Sequence, residues 1–377
     1  MSELTALAGR TRVTSCIECG KCTPVCPVAW YQDGFSPRGL IADVLHGDGR
    51  AALAACLNCG ACQTRCPSMV GFVDFVREAR AGVSIAEGLP LAHGGVFEAF
   101  PRPAVNRRGW MPPDLRVRDE GDVLYFVGCA PLFDAYFGHL GVHTLNAATS
   151  TIRIMNTLGV EPVVLSEEVC CGHDQLWSGD KETFQRLAAR NVELIKKTGA
   201  KTVVTACAEC ARCLALDYSE LLKVVPFKTM HVSRWLAERL PDAKAKLAPV
   251  ERRVTYQDPC RLGRHLGETK SPRDVLNCIP GLELAEMPRA GSDAVCCGTE
   301  GFSRCGAVSK AIQVARLREA AATGARTLVT ACPKCLVHLA CARKDPDVET
   351  SLEIRDLTEI VIASLGSGRA VEEEINE

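Results

Sequence analysis

The chain has 377 residues, a formal net charge of −1 at pH 7, 47% hydrophobic residues and 24% charged residues. This balance is typical of a globular protein with two or three domains, and it excludes a strongly basic surface for nucleic acid or anionic membranes. Aromatic residues make up 5%, which argues against a base-stacking platform. No run approaches the roughly 18 apolar residues that span a bilayer, and the N-terminus lacks signal-peptide features. We expect a cytoplasmic protein without a transmembrane segment or a nucleic-acid partner.

Cysteine is the anomaly in this composition, with 22 residues. In a small secreted protein so many cysteines would indicate a disulfide framework. This chain is much longer, has no evident export signal and groups its cysteines in C-x-x-C spacings. The pattern therefore indicates thiolates bound to metal in a reducing compartment.

Two motifs near the N-terminus, at 16–27 and 56–67, have the spacing C-x2-C-x2-C-x3-C-P of bacterial ferredoxins. In this spacing three close thiolates hold one [4Fe–4S] cubane, and the fourth, before proline, reaches the other cubane. The alternative is a pair of zinc knuckles, but zinc sites usually use two C-x2-C pairs. We assign one cubane to Cys16, Cys19, Cys22 and Cys66. We assign the other to Cys56, Cys59, Cys62 and Cys26.

Helices are predicted around these two loops. Ser36 is the expected N-cap of a helix whose first residue is Pro37, and a second helix is predicted over 70–85. Residues 1–87 are therefore predicted to form an α-helical ferredoxin-like module. Residues 88–121, rich in Gly, Pro and Arg, are predicted to be a linker.

From residue 122 onward, β-rich runs alternate with helical stretches, which indicates α/β units. The segment 199–207 is echoed at 324–332, so two homologous lobes are predicted at 122–245 and 250–365, before an acidic tail at 366–377. The predicted fold class is thus α+β with α/β lobes behind a helical module that holds two [4Fe–4S] clusters. Strands are predicted at 123–127, 161–165, 201–205, 252–257, 282–286 and 326–330. Helices are predicted at 146–158, 181–198, 208–223, 231–240, 303–323 and 356–365.

Each lobe carries five cysteines in the same order: one after a strand, then a Cys-Cys-Gly triplet, then C-x-x-C after another strand. Loops at strand carboxyl ends converge on one edge of an α/β sheet, so each set is expected to gather there. Adjacent cysteines suit a cluster of several irons better than one small ion, and Gly172 and Gly298 are expected to let the backbone approach it. The first set is Cys129, Cys170, Cys171, Cys207 and Cys210. The second set is Cys260, Cys296, Cys297, Cys332 and Cys335.

This doubled pattern resembles the cysteine-rich CCG domains of heterodisulfide reductase, fused here to a dicluster module. Shorter matches are Phe126-Val-Gly-Cys129, Asp258-Pro-Cys260 and Phe35-Ser-Pro-Arg38. The resemblance implies that each set of five cysteines holds a noncubane [4Fe–4S] cluster and that these ten residues are the catalytic ones. It also implies that single electrons pass through the two cubanes to this pair of clusters, where a disulfide is reduced or formed.

The implied partners follow from what the sequence lacks. There is no Walker loop and no G-x-G-x-x-G after a strand, so flavin or nicotinamide is expected on another polypeptide. We expect a multi-subunit complex with a flavoprotein or a hydrogenase- or dehydrogenase-type electron donor, peripheral to the membrane if its partners are membrane-bound. The expected substrate is a small-molecule disulfide or thiol.

Two alternatives stay open. The chain resembles the iron–sulfur subunits of glycolate and lactate oxidation enzymes and of acyl-CoA reductase complexes, which implies a non-catalytic electron-transfer role. Alternatively, one lobe is a zinc-bound structural domain, so that one noncubane cluster is replaced by zinc or absent.

Several other residues have two interpretations. His173 and His265 are proton donors near a cluster or ordinary structural histidines. Glu209 and Lys334 lie inside the two C-x-x-C motifs with opposite charges, which would make the two clusters differ in potential. Cysteines outside the motifs are expected to be small buried hydrophobes, with Cys213 the first candidate for more. They are Cys213, Cys278, Cys305 and Cys341.

Overall fold

The computed structural model describes residues 3–82, 108–299, 305–346, 348 and 350–366. Helices make up the structure of residues 3–82, and two parallel sheets with surrounding helices make up the rest. The predicted fold class is therefore confirmed. Most of the predicted linker, at 88–107, and of the predicted tail, at 367–377, lies outside the described residues.

In residues 3–82 the helices frame the two cysteine loops. The Ser36 hydroxyl accepts a hydrogen bond from the Gly39 amide at 3.0 Å and caps a helix that starts with Pro37, as predicted. The helix predicted over 70–85 begins at Phe72 and ends at Ala81, ahead of residues that the structure does not describe. The helices are α1 (Glu3–Arg10), α2 (Pro37–His46), α3 (Arg50–Ala55), α4 (Ala61–Thr64) and α5 (Phe72–Ala81), with a 3-10 turn at Val13–Ser15.

The first lobe is built on a parallel sheet in the order β1-β2-β3, with Val163 bridged to the outer side of β1 at Leu124. Its strands are β1 (Val123–Tyr125), β2 (Thr202–Thr205) and β3 (Lys228–His231). Its helices are α6 (Ala130–Phe137), α7 (Thr144–Thr157), α8 (His173–Ser178), α9 (Lys181–Lys197), α10 (Ala208–Arg212), α11 (Tyr218–Leu222) and α12 (Val232–Ala237). A π-helical turn, Cys213–Asp217, joins α10 to α11, and 3-10 turns lie at Gly138–Leu140 and Lys244–Lys246.

The second lobe repeats this arrangement with a parallel sheet in the order β5-β4-β6-β7. The strands β4, β6 and β7 correspond to β1, β2 and β3, and β5 takes the place of Val163. Its strands are β4 (Arg252–Gln257), β5 (Leu282–Leu284), β6 (Thr327–Thr330) and β7 (Glu353–Asp356). Its helices are α13 (Lys270–Cys278), α14 (Ala307–Ala321), α15 (Pro333–Arg343) and α16 (Leu357–Ser364), with a π-helical turn at Arg261–His265 and a 3-10 turn at Gly291–Asp293.

Three sequence predictions differ from the structure. The strand predicted at 161–165 is reduced to the bridge at Val163, since Pro162 has no amide to donate to a ladder. Strands β3 and β7 were not predicted, because each is only four residues long and mostly polar, and so gives almost no apolar signal. The short helices α6, α8, α13 and α15, which begin at or near cysteines or prolines, were not predicted either.

Each lobe packs a helix against a helix of the other lobe. The C-terminal helix α16 packs on α7 of the first lobe, and the Thr358 hydroxyl donates to the Ala147 carbonyl at 3.2 Å. Helix α12 of the first lobe packs in turn on α13 of the second. The buried ring of His231 spans the interface, with Nε2 donating to the Ala331 carbonyl at 3.1 Å. These contacts hold the carboxyl ends of the two sheets in a fixed relation to each other.

Among the described helices, none combines the length and apolar character needed to cross a membrane.

Candidate iron–sulfur centre

The two ferredoxin-type loops follow the same backbone path at corresponding positions. The residue two after the first cysteine is left-handed in both, with φ of 49° at Glu18 and 45° at Asn58. The glycine four after that cysteine is also left-handed, with φ of 76° at Gly20 and 78° at Gly60. Such turns direct several close side chains and amides toward one point. The equal conformations support equal ligand roles for the two motifs.

The four cysteines assigned to one cubane line a single cavity of about 310 Å³, counting the part that opens to solvent. Apolar residues such as Phe35 and Phe72 complete its wall. Burial, followed by the nearby Cys59, raises the pKa of Cys26 to about 12, and burial likewise raises the pKa of Cys62 well above its usual range. Four buried sulfurs of this kind become thiolates together only around a cationic, sulfur-preferring group, so the residues fit a [4Fe–4S] cluster. The lining cysteines are Cys26, Cys56, Cys59 and Cys62.

The cysteines assigned to the other cubane lie nearer the surface. Cys16, Cys22 and Cys66 are half-buried and Cys19 is exposed. Large apolar side chains are exposed beside them: Ile17 follows Cys16 directly in sequence, and Met69 lies three residues after Cys66. The assignment of these four ligands stays a prediction.

In the first lobe, the five cysteines of the CCG set converge beyond the ends of β1 and β2. The sulfurs of Cys129 and Cys170 are 3.6 Å apart, and those of Cys171 and Cys210 are 3.4 Å apart. The buried carboxylate of Glu168 accepts hydrogen bonds from the Val127 amide at 3.0 Å and the Gly128 amide at 2.7 Å. These bonds fix the turn that presents Cys129.

The glycines of the two triplets are required by packing on the following helix. Gly172 has φ of 83°, and a Cβ there would lie 2.9 Å from Phe184 in α9. Gly298 has φ of 86°, and a Cβ would lie 2.8 Å from the Ser309 carbonyl oxygen in α14. These close approaches are to helices α9 and α14, and the approach of the backbone to a cluster stays a prediction.

The second lobe repeats the thiol network of the first. Hydrogen bonds from Cys170 and Cys210 lower the pKa of Cys171 well below its usual range. Hydrogen bonds from Cys296 and Cys335 do the same for the pKa of Cys297. The second thiol of each doublet is therefore the one best stabilised as a thiolate. Cys260 contributes the remaining sulfur through its hydrogen bond with Cys296.

Two further contacts link the module and the lobes into one path. The thiols of Cys59 and Cys296 are hydrogen-bonded, which together with Arg264 lowers the pKa of Cys59 to about 6. The thiols of Cys207 and Cys332 are hydrogen-bonded across the lobe interface. Interactions between neighbouring thiols consequently extend from the module to the first lobe. The path runs Cys59, Cys296, Cys297, Cys335, Cys332, Cys207, Cys210, Cys171, Cys170 and Cys129.

Comparison with known proteins gives this arrangement a family. A model of the cysteine-rich domain CCG matches residues 123–215 and 254–340, and a 4Fe-4S dicluster domain matches residues 12–70. One of the subunits of the dihydromethanophenazine:CoB–CoM heterodisulfide reductase of Methanosarcina barkeri is 34% identical over 285 residues, which cover 74% of this chain and 67% of that protein. The chain belongs to the heterodisulfide reductase family. It is accordingly an iron–sulfur, electron-transfer member of an oxidoreductase family, and the resemblance stated above is confirmed.

Other matches are more distant. An EtfAB:quinone oxidoreductase of Syntrophomonas wolfei is 28% identical over 253 residues, covering 64% of this chain and 34% of that protein. A solved structure of a hypothetical protein from Helicobacter pylori aligns with a TM-score of 0.59 at 13% identity, covering 97% of this chain and 77% of that one. The latter likeness concerns the fold alone.

Sequence reasoning missed two arginines that join the module to the second lobe of this heterodisulfide-reductase-type chain. Arg261 donates to the Asn58 carbonyl at 2.6 Å, and Arg264 donates to the Cys59 carbonyl at 2.6 Å. Both follow Cys260 on one π-helical turn. The repeated arginine after the cysteine was the only signal of this role in the sequence.

The charged residues inside the two C-x-x-C motifs do not act separately, as their sequence positions suggested. Lys334 reaches across the lobe interface and pairs with Glu209, with Nζ and Oε2 2.5 Å apart, and also with Asp174. His173, Asp174 and Glu209 could together bind a cation, and the Lys334 ammonium is the cation beside them. The two charges offset each other.

The remaining candidates have clear surroundings. His173 and His265 are both hydrogen-bonded to Arg261, at 3.1 Å and 3.2 Å. Burial and neighbouring arginines lower the pKa of His265 well below its usual value, so this ring is neutral. The expectation of buried cysteines holds for Cys213 only, since the others lie toward the surface. Cys278 and Cys341 are half-buried and Cys305 is exposed.

Proposed function

We propose that this chain reduces a small-molecule disulfide, or forms one in reverse, with electrons delivered through its N-terminal module. The observation that carries the proposal is the series of thiol interactions that links Cys59 of the module to Cys129 through the pair Cys207 and Cys332. Such a path connects a one-electron relay with two cysteine sets that face each other. The relative from Methanosarcina barkeri is named for the same class of reaction.

The proposed ligand sets are those of the sequence prediction. Two cubanes are held by the ferredoxin-type cysteines of 1–87, and two noncubane clusters are held by the ten CCG cysteines of 122–245 and 250–365. When bound, these clusters supply one-electron steps and iron that has affinity for sulfur. In the net reaction, one disulfide takes up two electrons and two protons and gives two thiols.

The protein's own residues fix the geometry of this exchange. Arg261 and Arg264 hold the second cysteine loop against the second lobe, which keeps Cys59 next to Cys296. Glu168 fixes the turn before Cys129. Burial of the CCG cysteines, with Cys171 and Cys332 both nearly inaccessible, keeps water away from the sulfurs.

The proposed electron donor docks beside the first cysteine loop. Cys19 is exposed there, and Ile17 next to it exposes 68% of its surface. An exposed apolar side chain beside a cluster ligand suits a protein partner. The partner class we propose is a flavoprotein or a hydrogenase- or dehydrogenase-type protein.

The test is anaerobic turnover of the iron-loaded chain with reduced viologen as the donor and a set of small disulfides. The proposal predicts stoichiometric thiol formation that is lost in Cys207→Ala and Cys332→Ala. Viologen oxidation without thiol formation, for every disulfide offered, would contradict it. Cys278→Ala serves as the matched control, because Cys278 lies outside the thiol path.

A second function is favoured by one contact. The thiols of Cys207 and Cys332 interact across the lobe interface, which suits electron passage between the two lobes. The relative from Syntrophomonas wolfei is named for electron transfer to a quinone rather than to a disulfide. In this case the chain relays electrons within a larger dehydrogenase or reductase complex. Turnover with a partner acceptor but with no disulfide would identify it.

A further inference from the structure

The two CCG sites differ at several repeated positions, and one of these positions contacts the cysteine doublet in both lobes. Cys213 and His338 each lie three residues after the second cysteine of their C-x-x-C motif, which is Cys210 in the first lobe and Cys335 in the second. Residues three apart on a helix share a face, so both side chains point the same way as the preceding cysteine. Both are buried: Cys213 is fully inaccessible and His338 is 3% exposed.

Each of these side chains contacts the second cysteine of its doublet. In the first lobe the Cys213 thiol donates to the Cys171 carbonyl oxygen at 3.2 Å and also contacts the Cys171 sulfur. In the second lobe the His338 Nδ1 lies 3.6 Å from the Cys297 sulfur. The position is the same and the contact differs: a thiol bonded to the backbone carbonyl in one lobe, and an imidazole nitrogen beside the cysteine sulfur in the other.

The more obvious source of asymmetry is cancelled. Lys334 and Glu209, the charged residues inside the two motifs, neutralise each other by direct pairing. Asp174 pairs with the same ammonium, so this charged group lies between the two lobes and does not belong to one cluster site alone.

A second difference acts in the same direction as His338. The Arg261 guanidinium donates to the Cys260 sulfur at 3.9 Å, whereas Ala130 follows the corresponding Cys129 in the first lobe.

We propose that Cys213 and His338 make the two CCG clusters unequal, with His338 raising the reduction potential of the second-lobe cluster by an N–H···S hydrogen bond to Cys297. This inference rests on the proposed function, because it requires Cys297 and Cys171 to be cluster ligands. Hydrogen bonds to cluster sulfurs stabilise the added negative charge of the reduced state and so raise the potential. The Cys213 thiol donates its single proton to the Cys171 carbonyl oxygen, so it gives the first lobe no equivalent bond to the cluster-ligand sulfur.

The consequence for electron flow follows from position. The second lobe is the one that contacts Cys59 of the module. Electrons that leave the module would therefore reach the cluster with the higher potential first. His338 acts on the cluster through the Cys297 sulfur and does not touch the substrate, so it is a positioning residue and not a catalytic one.

The inference is tested by redox titration of the iron-loaded full chain, monitored by EPR, in wild type, His338→Leu, His338→Gln and His338→Cys. Loss of one hydrogen bond to a charged group is expected to change the oxidised-to-reduced ratio of the second-lobe cluster about tenfold at a given solution potential. For a one-electron couple this corresponds to a shift of about 59 mV in the reduction potential. The Leu variant should show this downward shift, the Gln variant should recover part of it, and the Cys variant should bring the two potentials closer together. The first-lobe cluster should be unchanged in all three, and Cys278→Ala should match wild type.

Two outcomes would overturn the inference. One is a second-lobe potential unchanged in His338→Leu with the iron content intact. The other outcome is measured on wild-type protein labelled with ¹⁵N-histidine. A nitrogen coupling to a reduced CCG cluster is expected, and its absence would exclude the hydrogen bond. This measurement holds even if the Leu variant does not bind iron. Failure of the proposed function is distinguishable, since wild type would then hold only the two cubanes or hold four clusters that yield no thiols.

Discussion

Lys334 and Glu209 occupy the same place in the two C-x-x-C motifs, and they form an ion pair across the lobe interface with Nζ and Oε2 2.5 Å apart. Asp174 shares the same ammonium. Both partners of the ion pair are buried, and each lies two residues after the cysteine, Cys207 or Cys332, that interacts with the other lobe. The charges that distinguish the motifs in sequence therefore join the lobes in the structure.

Replacement of this lysine should loosen the lobe interface. Lys334→Met leaves Asp174 and Glu209 buried without their cation, and removal of one partner of a buried pair costs about 3–5 kcal/mol. We expect a clear drop in the thermal midpoint of the iron-loaded protein. In Lys334→Met/Glu209→Gln/Asp174→Asn no charge of the three is left, so much of the loss should be recovered. A single variant as stable as wild type would show that the pair does not support the interface.

The two triplet glycines should respond differently to alanine. Both need a left-handed backbone, which costs an alanine about 1–2 kcal/mol. In Gly298→Ala the new methyl group also meets the Ser309 carbonyl of α14, which is backbone, whereas in Gly172→Ala it meets the end of the Phe184 side chain. Since a side chain can rotate away, Gly298→Ala should lose more stability and more iron than Gly172→Ala. Thermal unfolding and iron analysis measure this, and the reverse order would contradict the packing argument.

Donor docking should depend on the apolar surface beside Cys19. Ile17→Glu introduces a charge there without touching a cluster ligand, so the rate of reduction by the native donor should fall severalfold while the rate with dithionite stays unchanged. Val224→Glu is the matched control, because Val224 is similarly exposed, at 77% against 68%, and lies on the first lobe. Equal rates for the two variants with the native donor would place docking elsewhere.

Asp356 should give the protein a recognisable pH dependence. This carboxylate caps α16, and burial raises its pKa from 3.8 to about 7. Because the folded state holds the proton more tightly than the unfolded state, the stability from this group is present at low pH and is lost as the pH rises through about 7. Asp356→Asn keeps a good N-cap but does not titrate.

The measurement compares thermal midpoints of wild type and Asp356→Asn at about pH 5 and about pH 8. Wild type should lose more stability than the variant between the two values. A constant difference would mean that Asp356 titrates alike in the folded and unfolded chain.

The fold was largely predictable from sequence, because its strands are apolar runs and its repeat is visible in 199–207 and 324–332. The helix that starts at Pro37 followed from local capping chemistry. Strands β3 and β7 were missed, since they are four-residue edge strands with mostly polar sequences. Local sequence signals predict that an element exists better than they predict where it lies in a sheet.

The site was predictable in its parts and not in its connections. Cysteine spacing indicated which residues belong to each set, but nothing in the sequence placed Cys59 against Cys296 or Lys334 against Glu209. Such contacts depend on how the module and lobes pack, which is decided by many distant residues. The roles of Arg261 and His338 were missed for the same reason.

The proposed function depends above all on the two CCG sets holding clusters that act on a disulfide. EPR spectroscopy of the iron-loaded chain tests this most directly, because it detects the clusters themselves. We predict iron for four clusters per chain, and a new paramagnetic signal when the reduced protein meets a disulfide, which is lost in Cys207→Ala and Cys332→Ala. Iron for only two clusters, with no signal that depends on the disulfide, would contradict the proposal.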